Sequence, residues 1–225
     1  MSDDPLRARR YDGWFESTWG QFAFNAEWTL VRSALGVAEG AHVLDVGCGT
    51  GRFARALEEV GAIVVGLDRD PAMLAVARSR VSGDLLVGDA HHLPFADRSF
   101  DAALAVTVCE FTGDPALVVT EMARVVGEGG RVVVGSLNPR SLWGLDHRRE
   151  LRDEPWASAR FLSRGDLRQM GAPWGMTTVR SALYSSPVLV GHRSVAESVE
   201  KLGRALPALG AFQVLRIVTP SPTQH

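Results

Sequence analysis

A chain of 225 residues with 46% apolar and 22% charged residues can bury one full core, which excludes disordered, collagen-like and disulfide-scaffold classes. Its formal net charge is −2, with Lys and Arg spread along the sequence, so it offers no basic stripe for a phosphate backbone and nucleic acid is not an expected partner. Apolar runs such as Val132-Val133-Val134 fall far short of the ~20 residues that cross a bilayer, so no membrane span is expected.

In chain order, residues 1–40 read as an N-terminal helical cap. Seven of the chain's 17 aromatic residues fall between Tyr11 and Trp28, and Phe24, Trp28, Val31 and Leu35 are spaced to line one helical face. Tyr11, Trp14 and Phe15 precede the periodic part and are the candidate lid over a ligand. The opening segment lacks an apolar signal-peptide core, which makes the cytoplasm the expected location.

Residues 41–219 alternate short β-branched runs with helix-periodic runs, the pattern of a doubly wound α/β fold with a mostly parallel sheet covered on both faces. Strands are expected at 42–46, 63–67, 84–87, 102–108 and 131–137, with helices at 52–60, 71–80 and 115–126 between them. Asp70-Pro71 and Asp114-Pro115 each place an N-cap carboxylate before a proline at the first helical position. Residues 138–175, rich in Trp, Arg, Pro and Gly, read as an insertion near the site. A sixth strand at 177–184, a helix at 195–206 and a last strand at 211–218 follow, and 220–225 read as a frayed, disordered tail.

The first strand runs into Leu44-Asp45-Val46-Gly47-Cys48-Gly49-Thr50-Gly51, a strand-to-helix turn with three glycines. Such turns sit at the carboxyl edge of the sheet, where ligands of open parallel sheets bind. Gly47 and Gly49 can take angles forbidden to other residues, and the helix start at Gly51 offers free N–H groups to an anion. The spacing is G-x-G-x-G. A dinucleotide fingerprint would need Gly or Ala where Arg52 stands, and the Gly-Lys-Ser/Thr ending of a phosphate loop is absent. A nucleoside-like ligand with an amino-acid end fits better, its carboxylate at the helix start and its ammonium at Asp45. Asp68 ends the second strand about where a carboxylate accepts ribose hydroxyls. Asp89, after the third strand, suits an exocyclic amino group such as adenine's, with Met73, Leu93 and Phe95 to sandwich the base.

These residues resemble the class I S-adenosylmethionine-dependent methyltransferases, in the branch related to ubiquinone and menaquinone biosynthesis methyltransferases. The resemblance rests on LDVGCGTG, GLDRDPAML, GDAHHLPFADRSFDAAL and EMARVVGEGGRVVVGSL, and covers about residues 43–137. It implies S-adenosylmethionine as cofactor and a Rossmann-like seven-stranded sheet whose antiparallel last strand lies beside the fifth. It also implies that Gly47, Cys48, Gly49 and Gly51 line the methionine part, Asp68 holds the ribose, Asp89 with Ala90 holds the adenine, and Thr107 and Val108 flank the sulfonium. His91 stands in the same adenine loop, Arg69 beside the ribose acid, and Tyr11 over the cofactor from the cap.

Methyl transfer needs placement more than a dedicated base. The candidates for a general base are nevertheless Glu110, just after the fourth strand, and His147 and His192 in the variable C-terminal half. Cys48 and Cys109 follow neighbouring strands, lack metal-ligand spacing and read as reduced thiols, so no metal is expected. The Val106-Thr107-Val108-Cys109-Glu110-Phe111 stretch departs from the Asn/Asp-Pro-Pro-Tyr/Phe sequence of nucleic-acid amino methyltransferases. With the aromatic cap, this makes a small, partly apolar metabolite the expected acceptor. Monomer and homodimer both stay open. The competing readings are an NAD(P)-dependent oxidoreductase, using Asp68-Arg69, and a non-catalytic S-adenosylmethionine-binding module.

Overall fold

A computed structural model describes residues 5–141 and 159–221. Seven strands form one sheet in the order β3-β2-β1-β4-β5-β7-β6. They are β1 His42–Val46, β2 Ile63–Asp68, β3 Asp84–Val87, β4 Phe100–Val106, β5 Val126–Leu137, β6 Met176–Ala182 and β7 Phe212–Val218. The first five run parallel, and β7 is antiparallel to both β5 and β6. The central strands read as unbroken apolar runs because helices cover both faces: Ala102 to Ala105 and Val132 to Val134 are fully buried.

On one face, α5 (Pro115–Val125) and α6 (Arg164–Gly171) bring Val118, Met122 and Leu167 against Val132, Val134, Leu215 and Ile217. On the other, α2 (Thr18–Leu35) and α3 (Arg52–Glu59) bring Val31, Leu35 and Leu57 against Val43, Leu104, Val133 and Phe212. The remaining described helices are α1 (Pro5–Trp14), α4 (Pro71–Ala77), α7 (Pro187–Val190) and α8 (Arg193–Gly203). Both aspartate-proline starts act as read: Asp70 accepts from the Ala72 N–H at 2.9 Å and Asp114 from the Leu117 N–H at 3.0 Å.

Several boundaries move for local reasons. β4 stops at Val106, two residues before its expected end, because Thr107 adopts φ +51 and turns the chain out of the ladder. β6 stops at Ala182 because Leu183 adopts φ +63. β5 starts earlier than expected, at Val126, which pairs with Phe100 before the register shifts at Ala102. The stripe expected on α2 is also corrected. Its buried residues are Gly20, Ala23, Glu27, Val31, Ala34 and Leu35, while Phe24 and Trp28 turn sideways onto Phe53, with ring centroids 5.2 and 6.4 Å away. At the start of the expected insertion, Asn138 is buried and structural. Its side-chain amide donates to Ala208 O and Gly210 O at 2.9 Å each, and its side-chain oxygen accepts from the Arg140 N–H. Residues 142–158 of that insertion, His147 among them, lie outside the described residues.

Candidate functional site

From β1 the sheet order runs to β2 on one side and β4 on the other, which opens a crevice above their carboxyl ends. The floor of the crevice is the loop from Gly47 to Gly51, all three glycines of which have positive φ: 67°, 54° and 78°. The Gly47 and Cys48 N–H groups both donate to Leu67 O, at 2.6 and 3.0 Å, and so dock the loop on β2. The three glycines do different work. A Cβ at Gly47 would collide with the Val108 side chain, and one at Gly51 would lie 2.7 Å from Val81, so these two are demanded by packing. At Gly49 a Cβ would meet nothing within 4 Å. Of the three, Gly49 is the one where a side chain would project into open space, while Gly47 lines the crevice with its backbone.

Asp45 is 2% exposed, and its Oδ2 has no hydrogen-bond partner. Burial first, and the nearby charge of Asp68 second, push its pKa up to about 8 against the opposing N–H of Ala54. A buried carboxyl with one oxygen left unpartnered is what an ammonium group would satisfy. Asp68 holds the loop itself: Oδ2 accepts from the Gly49 N–H at 2.8 Å and Oδ1 from the Asp70 N–H at 2.9 Å. Each oxygen keeps a second lone pair for a hydroxyl. Burial raises its pKa as well.

The cap closes over this loop. Tyr11 and Phe15 line the crevice together with Asp45, Gly47, Cys48, Gly49, Thr50, Arg52, Phe53, Val106 and Thr107. The Tyr11 phenol bonds the Thr107 side chain, and burial raises its pKa. Trp14 is 43% exposed and stands off the crevice, edge-on to Phe15, so the lid has two aromatic members and not three. A clamp that the sequence did not reveal holds it. Asp12 accepts from the Thr50 hydroxyl and Arg52 Nε at 2.9 Å each and from both Arg80 terminal nitrogens at 3.0 Å. Arg52 also lies 5.1 Å over the Phe15 ring. Burial alone would raise the Asp12 pKa, but bonds from Arg80, Arg52 and Thr50 outweigh it and bring the value down to about 2.

The expected adenine side is looser. Asp89 is exposed and accepts from the His91 N–H at 2.9 Å, with His91 Nδ1 2.8 Å away, and those bonds hold its pKa low. Ala90 and Met73 are half-buried, while Arg69 is exposed. Two of the expected base-sandwiching residues are corrected. Leu93 is 4% exposed inside the core, and Phe95 packs edge-on against Phe100 at 5.1 Å.

Among the candidate bases, His192 is exposed at the N-cap of α8 and does not reach the crevice lining. Glu110 is 1% exposed. Its Oε1 accepts from the Leu137 N–H at 2.9 Å and its Oε2 has no partner. Burial pushes its pKa up to about 7. Glu27 on α2 is 8% exposed, and burial, then the charge of Glu110, push it up to about 8. Sequence reading missed Glu27, although an acid among Ala23, Val31 and Ala34 at helical spacing was a visible signal. Asp12 carried none, because its partners lie 38 to 68 residues away. Cys48 and Cys109 are free, buried thiols whose pKa burial raises. Among the described residues, no helix is long and apolar enough to cross a membrane, and no group of three His, Cys, Asp or Glu could hold a metal.

The sheet order, the glycine turn and the carboxylates on neighbouring strand tips define a nucleoside-binding doubly wound fold, and comparison with known proteins specifies it. A family described as "Methyltransferase domain" matches residues 44–134. A demethylmenaquinone methyltransferase of Tropheryma whipplei is 40% identical over 120 residues, which is 50% of this chain and 49% of that protein. A malonyl-[acyl-carrier protein] O-methyltransferase of Erwinia billingiae is 31% identical over 174 residues, covering 77% of this chain and 66% of that one. The match thus spans only about half to two thirds of these relatives. Similarity to a solved structure runs the full length: an S-adenosylmethionine-dependent methyltransferase of Thermotoga maritima, described as a possible histamine N-methyltransferase, superposes with a TM-score of 0.74 at 27% identity over 95% of this chain and 96% of that one. The chain belongs to the class I S-adenosylmethionine-dependent methyltransferases, and S-adenosylmethionine is its cofactor. The oxidoreductase reading falls with that assignment.

Proposed function

We propose that the protein methylates a small, partly apolar acceptor enclosed between the N-terminal cap and the carboxyl ends of β4 and β5. The observation that carries this reading is the aromatic cap, with Tyr11 and Phe15 lining the same crevice as the glycine loop and Asp12 clamped to Arg52 and Arg80, so that an acceptor approaching the loop has to fit against cap side chains.

The residues fit the cofactor on two counts: the unpartnered Oδ2 of Asp45 calls for a cation, and Gly49 presents bare backbone to open space. Asp45, Gly47, Cys48, Gly49 and Gly51 would hold the methionine end, Asp68 and Arg69 the ribose, Met73, Asp89, Ala90 and His91 the adenine, and Tyr11 and Thr107 the region of the sulfonium. When bound, the cofactor supplies an electrophilic methyl on a sulfonium whose charge disperses as transfer proceeds. The protein's own part is to place the acceptor and seal the crevice. Glu110 lies outside the crevice lining, as His192 does, so a general-base role for it rests only on its place just after β4 and its pKa of about 7; His147 lies outside the described residues.

Mass spectrometry of reactions with labelled S-adenosylmethionine and a panel of small metabolites tests the reading. Transfer to at least one small acceptor is expected, and transfer only to protein-bound or nucleic-acid substrates contradicts it. Cofactor binding without turnover on any acceptor would favour the non-catalytic module.

A further inference from the structure

The two helices of the N-terminal cap are attached in different ways. α2 starts at its own N-cap, where Ser17 Oγ accepts from the Gly20 N–H at 3.0 Å, and it lays Ala23, Val31, Ala34 and Leu35 into the core. It needs nothing from α1 to form or to dock. In α1, by contrast, Ala8 is the one buried residue among the described side chains, while Leu6 is 68% exposed and Arg9, Arg10 and Trp14 are exposed as well. Ten residues are too few for a helix to be stable alone in water, so tertiary contacts keep α1 in place.

Those contacts are charged at both ends of the helix. Near its start, Arg7 Nη2 lies 3.2 Å from Oδ2 of Asp70, the N-cap of α4. Near its end, the Asp12 carboxylate accepts from three separate places: Thr50 in the glycine loop, Arg52 at the start of α3, and Arg80 just beyond α4. Arg52 Nη2 also donates to Asp12 O at 3.1 Å, and Arg80 Nη1 donates to Thr50 O. Thr50 is thus gripped at its hydroxyl by Asp12 and at its carbonyl by Arg80. Tyr11 and Phe15, which flank Asp12 in sequence, line the crevice with Thr50 and Arg52, whereas Arg80 does not. Partly exposed ion pairs contribute little each and are screened by salt. Elements with few buried apolar contacts open at a fraction of the free energy of global unfolding. Between the helices the chain makes successive tight turns, with the Phe15, Glu16 and Ser17 N–H groups donating to Asp12 O, Gly13 O and Trp14 O at 3.1 Å each, and Phe15 stays edge-on to Phe24 of α2 at 6.0 Å.

We propose that α1 is a strap that swings out from a pivot at residues 13–17 for each exchange of S-adenosylmethionine and S-adenosylhomocysteine, with Asp12 as its latch. Asp12 is a positioning residue: it draws Tyr11 against the crevice for transfer and lets it go afterwards, while α2 and the sheet remain packed. The inference rests on the cofactor assignment and is indifferent to the acceptor. A ligand seated on the glycine loop lies against Tyr11 and passes it on the way in and on the way out, so the closed strap slows both directions. Apparent association scales with the fraction of chains that are open. Weakening the latch raises that fraction and the opening rate together, whereas losing a direct contact with the ligand speeds dissociation alone.

The test is stopped-flow mixing of the full chain with S-adenosylmethionine and with S-adenosylhomocysteine at low and high salt, alongside hydrogen exchange of α1 and α2 read by mass spectrometry. Asp12→Asn keeps an oxygen for the Thr50 hydroxyl and loses the charge. It should raise association and dissociation rates together by about fivefold, the factor that loss of a partly exposed ion pair represents. Arg80→Gln, outside the crevice lining, should do the same. High salt should bring wild-type rates toward those of the variants and change the variants less. In the unliganded wild type, α1 amides should exchange faster than α2 amides and slow when S-adenosylmethionine binds. The proposal is overturned if the variants speed dissociation with association unchanged, if the wild-type rates respond to salt no more than those of the variants, or if α1 and α2 are equally protected without ligand.

Discussion

Asp45 shows how one side chain ties stability to ligand binding. Its folded pKa of about 8 lies above the ordinary carboxylate value, so between about pH 4 and pH 8 the folded state holds a proton that the unfolded chain has released. Stability contributed by this group is therefore full below pH 4 and lost as pH rises through 8; Glu27 and Glu110 add to the same slope. Asp45→Asn removes the ionisation, while Asp68 and the Ala54 N–H remain around the site. Thermal melts from pH 5 to pH 8 should show a flatter decline for this variant than for wild type, with its largest relative gain at pH 8 and with cofactor binding impaired. Parallel melting curves would contradict the assignment. Asp12 has the opposite sign. Its depressed pKa means the clamp is intact above about pH 4 and is lost as pH falls toward 2.

At the scale of elements, the glycine loop makes a prediction with two separable parts. Gly47→Ala puts a side chain at positive φ and into Val108, so it should cost fold stability of about 2 kcal/mol or more in urea titrations. Gly49→Ala has only the backbone strain, about 1 kcal/mol, because nothing occupies the space beside it. It should nevertheless lose cofactor affinity, since that space is where a ligand would lie. Equal stability losses, or an unaffected affinity in Gly49→Ala, would contradict this division. The cap supplies another prediction. Asp12→Ala leaves Arg52 and Arg80 without their shared carboxylate, so the segment from Pro5 to Trp14 should become cleavable by protease at neutral pH while the sheet core stays protected. Unchanged protection would show that aromatic packing alone holds the cap.

For the whole molecule, the sheet was the most legible feature, because alternation of β-branched and helix-periodic runs is written locally and the tips of β1, β2 and β3 are each marked by a Gly or Asp. Asp45, Asp68 and the glycine turn were legible for the same reason. The rest depends on contacts between distant parts of the chain. Asp12 reads as one acid among arginines until the fold sets it against Thr50, Arg52 and Arg80. Leu93 and Phe95 looked like base-stacking residues, yet the core claims Leu93 and Phe100 claims Phe95. Strand ends at Thr107 and Leu183 were hidden because a positive φ at a non-glycine residue is imposed by tertiary context.

The most direct test of the central claim, that this loop and its carboxylates cradle an adenosyl sulfonium, is calorimetric titration of the purified protein with S-adenosylmethionine and, separately, with NAD. One equivalent of S-adenosylmethionine should bind, Asp68→Ala should lose most of that affinity, and NAD should give no heat of binding. Tighter binding of NAD, or S-adenosylmethionine binding indifferent to Asp68, would contradict the account.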